Sequence, residues 1–461
     1  MASSLSTLGL GSQGVLNYDI IEQLREVDNA NQVAPIDRRL DDNSTKTQDL
    51  SILTTLTASL KGSTSTLSDD ATYLKRDTSV SGSAASVNAS SGTALQDFSL
   101  NVTQLAKQDI HQSNSFNSDT STFTSTNDTI NINIDGKDYS FDVNSTTTLT
   151  DLKNMINDST DGKVIASTLN VGGTNPYKLV LKSAQTGESQ NMTITSTGGG
   201  TAVSDLGLDL VSNNIQSAQD AIVQYNGIDI QRSSNNINDL IVGVEITLNE
   251  LGESNVSIVQ DTTDISSGLA DFTSKYNELM NNLNESTKYD VDTKASGSFQ
   301  GVNEITSMKS SLNRMLISVD ANGTSLSEFG LSLNDAGMLE FDENIFNSKM
   351  TENPDGVKNY FVGSYDVNTE TTTSGIFTKF NNLLADLATN DNSVLGLYEG
   401  SLTNQKTSLE TEKAKTIASL DAKYETMTQR FMAYDAMIGK LDMQAQSVQS
   451  MIDAANNNNS N

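Results

Sequence analysis

Residues 417–452 read IASLDAKYETMTQRFMAYDAMIGKLDMQAQSVQSMI. The apolar residues of this stretch step by three and four positions, which is the heptad spacing of a helix that buries one stripe against a partner helix. At 1.5 Å per residue the helix would be roughly 54 Å long, so the sequence predicts a fibrous or assembly protein. We call the stripe the C-terminal seam; it consists of Ile417, Leu420, Tyr424, Met427, Phe431, Tyr434, Ile438, Leu441, Ala445, Val448 and Ile452.

Leucines near the start of the chain offer a partner for this seam. A short helical pattern precedes them, and Pro35 should end or kink that first helix. We expect the C-terminal helix to pack on residues 50–74 and on a helix at 265–283, so that the two chain ends meet. The N-terminal packing residues are Leu50, Leu53, Leu56, Leu60 and Leu67.

Composition narrows the class of partner. The chain has 461 residues, with 28 Lys+Arg against 58 Asp+Glu and a net charge of −30. This charge repels phosphate backbones and anionic membrane surfaces, so we expect neither nucleic acid nor a membrane as partner. The absence of cysteine excludes a disulfide framework and a thiolate nucleophile. No apolar run approaches 18 residues, and residues 1–14 lack the pattern of a Sec signal peptide.

The middle of the chain is typical of β-structure. Residues 77–261 are rich in Ser, Thr, Asn, Gly and Val with period-two alternation, as in Ile130, Ile132 and Ile134. Asp135-Gly136, directly afterwards, predicts a hairpin turn. Helical spacing returns from Thr262. The predicted fold class is therefore α+β and multidomain, with a terminal α-helical coiled-coil stalk from both chain ends and β-rich head domains inserted between them.

The same patterns predict domain boundaries. The expected parts are a flexible tail at 1–16, an N-terminal helical leg at 17–76, a discontinuous β-rich head domain at 77–111 and 216–261, an inserted outer head domain at 112–215, a helical stalk domain with a small hairpin at 262–400, and a C-terminal coiled-coil leg with a disordered tail at 401–461.

Catalytic residue types are almost absent. The single histidine, His111, lies in a Gln/Asn/Ser stretch and is interpreted as a surface residue. The run Gly198-Gly199-Gly200 lacks the Lys of a phosphate-binding loop and is interpreted as a flexible linker. The run from Asp290 to Lys294 lacks the Gly and Glu of a calcium loop. We therefore predict no enzyme activity, no cofactor and no metal.

Several segments, taken in order, resemble one known family. The segments are Leu8-Gly9-Leu10-Gly11-Ser12, Ala34-Pro35-Ile36, Tyr225-Asn226-Gly227-Ile228 through Arg232-Ser233-Ser234-Asn235 to Ile241-Val242-Gly243-Val244, and Leu326 to Asp342. In these segments the chain resembles the bacterial flagellar filament-capping proteins, the hook-associated protein 2 family. Residues 130–186 resemble the inserted repeat that capping proteins share with some flagellins.

The resemblance implies an assembly function. It implies a homo-oligomeric ring of roughly four to six copies at the distal tip of the filament, where exported flagellin is retained, folds and inserts. Implied partners are other copies of the chain, flagellin, the hook–filament junction protein and a cytoplasmic export chaperone on the C-terminal helix. Implied export is by the flagellar type III apparatus, without a Sec signal. Leu5, Leu8 and Leu10 would be a filament-contacting tail.

Two alternatives stay open. Flagellins and hook–filament junction proteins also place helices at both ends of a β-rich middle. The flagellin run Arg-Leu-Ser-Ser-Gly is not found here, and residues 225–244 favour the cap. A surface adhesin could act through an exposed β head that binds host glycans or mucin, and such adhesion is compatible with capping.

Overall fold

A computed structural model describes residues 18–197, 199–320 and 323–458. The chain divides into two compact units, a helical unit of Met1–Asp69 with Ile265–Asn461 and a β-rich unit of Asp70–Asp264. The predicted α+β class, helical toward both ends with β-rich domains between, is confirmed. The finer domain boundaries stay predictions.

Helices make up most of the helical unit within the described residues. A five-residue π-helical segment, Asn29–Val33, joins the first two. The helices are α1 Tyr18–Asp28, α2 Ala34–Leu67, α3 Leu149–Ser159, α4 Ala202–Leu206, α5 Thr263–Thr287, α6 Asn303–Leu316, α7 Glu343–Glu352, α8 Pro354–Phe361, α9 Ile376–Ala388 and α10 Val394–Asn458.

The strands form the β-rich unit and two small hairpins of the helical unit. They are β1 Arg76–Ser81, β2 Ala85–Ala89, β3 Gln96–Gln104, β4 Ile110–Gln112, β5 Asp128–Ile134, β6 Lys137–Val143, β7 Val164–Asn170, β8 Tyr177–Ser183, β9 Thr193–Thr197, β10 Asn214–Gln216, β11 Ala221–Tyr225, β12 Ile228–Arg232, β13 Asn236–Ile237, β14 Val244–Leu248, β15 Gly252–Gln260, β16 Leu331–Leu333, β17 Leu339–Phe341, β18 Gly363–Asp366 and β19 Thr371–Ser374.

Pro35 does not break the helical path. It lies in the first turn of α2, where its missing N–H has least effect. The π-helical segment before it has one extra residue per turn and accommodates the ring. The second predicted helical stretch is also shorter than expected, since α2 ends at Leu67 and Asp70–Leu74 is a 3₁₀ turn.

The inner module of the β-rich unit is a sandwich. Its five-stranded sheet has the order β1-β15-β3-β11-β12, and its three-stranded sheet has the order β13-β14-β2. Alternate residues of each strand point inward and form one core, which includes Phe98, Leu100 and Val256. Strand β15 pairs with both β1 and β3, so the sheet combines strands from before and after the long segment between β3 and β11.

That segment, β4 to β10, forms the outer module. Its two sheets have the orders β10-β4-β8-β7 and β6-β5-β9, with α3 and α4 completing the layer. The predicted alternation at Ile130, Ile132 and Ile134 is present, and all three side chains are buried. Asp135 and Gly136 both have positive φ, as a two-residue hairpin turn requires.

His111 is not a surface residue. It faces inward from β4 and is 8 % exposed, because Ile110 and Gln112 take the outward positions of the strand. Its Nε2 lies 2.9 Å from a carboxylate oxygen of the fully buried Asp109. Asp109 also accepts hydrogen bonds from the Met192 N–H and the Asn214 amide. Sequence reasoning missed this buried polar cluster because its partners lie far apart along the chain.

Gly200 is packed, so the linker interpretation is wrong at this residue. A Cβ on Gly200 would lie 2.1 to 2.4 Å from the carboxyl atoms of Asp128. That carboxylate accepts hydrogen bonds from the Thr129 N–H at 2.7 Å, the Ser196 hydroxyl at 2.7 Å and the Ala202 N–H at 2.9 Å. Burial alone would raise the pKa of Asp128, but these bonds outweigh it and lower the pKa.

Among the described residues, none of the helices is both long and apolar enough to cross a bilayer. The same residues contain no group of three or more His, Cys, Asp or Glu side chains arranged to hold a metal ion.

The packing of Gly200 predicts a specific coupling. Gly200→Ala should destabilise the outer module by about 1–3 kcal/mol, because the new methyl group overlaps the Asp128 carboxylate. In an Asp128→Ala background the same change should cost much less, since the overlap is gone. Native-state hydrogen exchange of residues 128–143 measures both costs. Equal costs in the two backgrounds would contradict the packing.

Candidate functional site at the paired terminal helices

The first and last helices of the described chain lie side by side and antiparallel. Helix α10 contacts α1, the π-helical segment and α2, and also α6 and α9. The deepest polar contact is at Asn43, which is 2 % exposed. Its side-chain amide donates hydrogen bonds to the Leu402 carbonyl at 3.0 Å and to the Gln405 side chain at 2.9 Å. A buried amide that must find these acceptors disfavours other registers of the two helices.

Four ion pairs follow the same register toward the N-terminal end of α1. Asp37 pairs with Lys413 at 2.7 Å, Arg39 with Glu412 at 3.3 Å and Asp28 with Lys423 at 2.6 Å, and Arg25 pairs with Asp421. From Asn43 through Asp37 to Asp28 the partners on α10 advance from Leu402 to Lys413 to Lys423, which establishes the antiparallel direction. Apart from Asp28, these side chains are 37–56 % exposed, so the exposed pairs contribute little stability each.

A small apolar cluster lies among these pairs. Ile21 and Val33 from the N-terminal side are buried against Leu420 and Tyr424 of α10, and Met427 and Phe431 pack against the edge. The amphipathic spacing of both segments explains why these residues face one another.

Asp28 joins the apolar cluster to the ion pairs. Its carboxylate accepts hydrogen bonds from Lys423 Nζ and the Tyr424 hydroxyl, both at 2.6 Å. These bonds lower the pKa of Asp28, and its carboxylate raises the pKa of Lys423. The charged form of both groups is therefore favoured when the helices are paired.

The structure divides the predicted seam into three parts. Leu420 and Tyr424 are buried, and Met427 and Phe431 are partly buried. The remaining large seam residues are exposed: Ile417, Tyr434, Ile438, Leu441, Val448 and Ile452. The predicted tail residues Leu5, Leu8 and Leu10 lie outside the described residues.

The predicted partners of the seam lie elsewhere. Leu50, Leu53, Leu60 and Leu67 are buried and Leu56 is half-buried, but the antiparallel register places residues 402–405 of α10 beside Asn43. Helix α2 instead packs along α9 in its second half, where Lys61 bonds Thr389, and Leu67 lies against Gly268 of α5. The heptad pattern predicts a buried stripe on each helix, but it does not determine which parts of the stripes meet.

Residues missed by the sequence analysis form a second buried stripe toward the start of α10. Leu395, Leu402 and Leu409 are all buried. Their seven-residue spacing was the available signal, but the series leads to Thr416 and is therefore one residue out of register with the C-terminal seam, which begins at Ile417.

Comparison with known proteins identifies the family. The model of the flagellar hook-associated protein 2 N-terminus matches residues 13–109, and the model of its C-terminus matches residues 218–443. The chain belongs to the flagellar hook-associated protein 2 family. The resemblance inferred from the motifs is thereby confirmed. The interval between the two matches, residues 110–217, coincides with the outer module, from β4 at Ile110 to β10 at Gln216.

Similar proteins cover nearly the whole chain. Flagellar hook-associated protein 2 of Campylobacter jejuni is 29 % identical over 99 % of this chain and 99 % of that protein. Its counterpart in Helicobacter pylori J99 is 26 % identical over 98 % and 99 %. The crystal structure of the D1-D2-D3 domains of the Escherichia coli flagellar cap protein FliD covers 77 % of this chain and 99 % of its own. It has a TM-score of 0.51 at 21 % identity, which supports a shared fold.

The buried cluster predicts which seam residues hold the helices together. Leu420→Ala should destabilise the pairing by about 2–5 kcal/mol, because it leaves a cavity among Ile21, Val33 and Tyr424. Hydrogen exchange of residues 18–33 should then accelerate at least tenfold. The matched control Leu441→Ala, at a position 57 % exposed, should change it little. Equal acceleration by both variants would contradict the placement.

The lowered pKa of Asp28 predicts acid sensitivity of the pairing. A carboxyl group with a lowered pKa stabilises the paired state above the unfolded pKa of about 4 and loses that contribution as the pH falls through the lower folded pKa. The chain has no native cysteine, so spin labels can be attached at Gln23→Cys and Thr426→Cys. The distribution of distances between the two labels should broaden as the pH falls below about 4. Asp28→Asn should weaken the pairing at neutral pH and flatten the pH dependence. An unchanged profile in that variant would contradict the role of Asp28.

Proposed function

We propose that this chain caps the flagellar filament at its distal tip, where it retains exported flagellin and promotes its folding and insertion. Membership of the hook-associated protein 2 family supports this function, as does the cap name of the similar Escherichia coli protein. The observation that carries it is the pairing of both chain ends in one helical unit, with the β modules inserted between them. In this proposal the terminal helices contact the filament, and the β modules form the ring at its tip.

The exposed part of the seam supports a leg role. The exposed apolar stripe covers about five turns in the C-terminal part of α10 and consists of Tyr434, Ile438, Leu441, Val448 and Ile452. An exposed stripe of this length is typical of a surface that another chain covers. We assign it to contact with the filament after export, and with a cytoplasmic chaperone before export through the flagellar type III apparatus without a Sec signal.

The cap is proposed to work as a homo-oligomeric ring of roughly four to six copies. Its other proposed partners are flagellin and the hook–filament junction protein. In the proposed mechanism the cap binds flagellin and blocks its escape from the filament tip, and it catalyses no reaction. The family match favours the cap over the flagellin alternative, and an adhesive role for the β-rich unit stays a prediction.

Genetic complementation tests this function. A strain that lacks the gene should release flagellin monomer into the medium and grow short filaments or none, and the wild-type chain should restore growth. Phe431→Asp or Ile438→Asp should reduce filament length, because a charge on the seam opposes apolar contact. Ser450→Asp, on the opposite side of α10, is the matched control and should restore normal filaments. Electron microscopy measures filament length, and immunoblotting measures released flagellin.

Two results would contradict the proposal. Normal filaments in the deletion strain would exclude a capping function. Full restoration by Ile438→Asp would retain the cap but exclude the seam as its leg contact.

A further inference from the structure

The outward face of the β10-β4-β8-β7 sheet combines apolar side chains with lysines. Across strands β7 and β8, Ile165 is opposite Lys182 and Leu169 is opposite Lys178, with Val180 between the two lysines. The neighbouring residues Leu179 and Leu181 point inward and are buried, so the lysines point outward. We call Ile165, Leu169, Lys178, Val180 and Lys182 the lysine face.

This face is unusual in so acidic a chain. Ile165 is 50 % exposed and Leu169 is 52 % exposed, so the apolar part is open to solvent. Lys178 donates a hydrogen bond to the Gln112 side chain at 3.0 Å. Neither Lys178 nor Lys182 has an ion-pair partner within the described residues. Exposed apolar groups beside unpaired cations favour a partner that is both apolar and acidic.

The outward face of the five-stranded sheet of the inner module has that complementary composition. Val259 of β15 pairs with Asp77 of β1, and two residues along the strand Ser257 lies beside Asp97 of β3. Leu95 precedes β3 and is 43 % exposed, and Val259 is 44 % exposed. Asp77 and Asp97 are exposed and have no ion-pair partner among the residues that the structure describes. We call Asp77, Leu95, Asp97 and Val259 the aspartate face.

The spacing of charges on the two faces also agrees. Lys178 and Lys182 are four residues apart on one strand, which separates them by about 13 Å. Asp77 and Asp97 are two strands and two residues apart, which gives about 12 Å. Each pair has exposed aliphatic side chains between or beside its charges. The lysine face of one copy against the same face of another would instead bring lysines together, which is unfavourable.

We propose that the lysine face of one copy of this chain docks on the aspartate face of a second copy. Such a contact joins different surfaces of the two copies, so repeated docking propagates head to tail and closes into a ring where the rotation allows. This inference rests on the proposed homo-oligomeric cap and assigns the surfaces that would build it. The proposed contact also explains why apolar side chains are exposed on both the outer and the inner module of the β-rich unit.

A charge exchange in the full-length chain tests the contact. Lys178→Glu with Lys182→Glu should weaken self-association at least tenfold, and Asp77→Lys with Asp97→Lys should do the same. A mixture of these two double variants should recover association, but only between one copy of each variant. The quadruple variant, in which the charges of both faces are exchanged, should assemble like the wild type. Sedimentation velocity over a concentration series measures assembly, and circular dichroism verifies folding. Lys107→Glu with Lys153→Glu is the matched control for net charge.

The outcomes separate this contact from the cap itself. A wild-type oligomer that both double variants leave intact overturns the proposed surfaces but leaves the ring. Loss of association in both double variants, without recovery in the quadruple variant, also overturns direct pairing of these faces. A wild-type chain that stays monomeric at every concentration overturns the contact and the ring together.

Discussion

The antiparallel pairing of α1 and α2 with α10 is the constraint on which the rest of the structure depends. The chain leaves the helical unit after Asp69 and returns to it at Ile265, so the β-rich unit is an insertion between helices that pair with one another. The same device recurs inside the β-rich unit, where β15 pairs with β1 and β3 and the bridge between Lys107 and Gln219 closes the base of the outer module. The outer module is thus inserted into the inner module, and the inner module is inserted into the helical unit. In each case the segments before and after the insertion pair with each other.

The pairing is strong at one end and weak at the other. Near Asn43 a buried amide and the leucines of α10 determine the register, whereas toward Arg25 the contact consists of exposed ion pairs and one small apolar cluster. Exposed pairs contribute little stability each, so the outer part of the pairing should open before the core of the helical unit does. Under the proposed capping function, this gradient would let the exposed seam exchange partners while the modules stay folded.

Much of this arrangement could be predicted from the sequence. Hydrophobic periodicity predicted the α+β class, the terminal helices and the alternation of β5, and turn chemistry predicted the hairpin at Asp135-Gly136. The family followed from ordered motifs. The helix register was not predictable, because a heptad stripe looks the same wherever its partner begins. The burial of His111 and the close approach of Gly200 to Asp128 were missed because both depend on contacts between distant segments.

Zero-length carbodiimide cross-linking of the intact wild-type chain tests the register of the terminal helices most directly. This reagent joins a lysine to a carboxylate only where the two are in contact. Mass spectrometry should identify amide links between Lys413 and Asp37 and between Lys423 and Asp28, whose charged atoms lie 2.7 Å and 2.6 Å apart. Links from Lys413 or Lys423 to Asp49, Asp69 or Asp70, without the two expected links, would contradict the account.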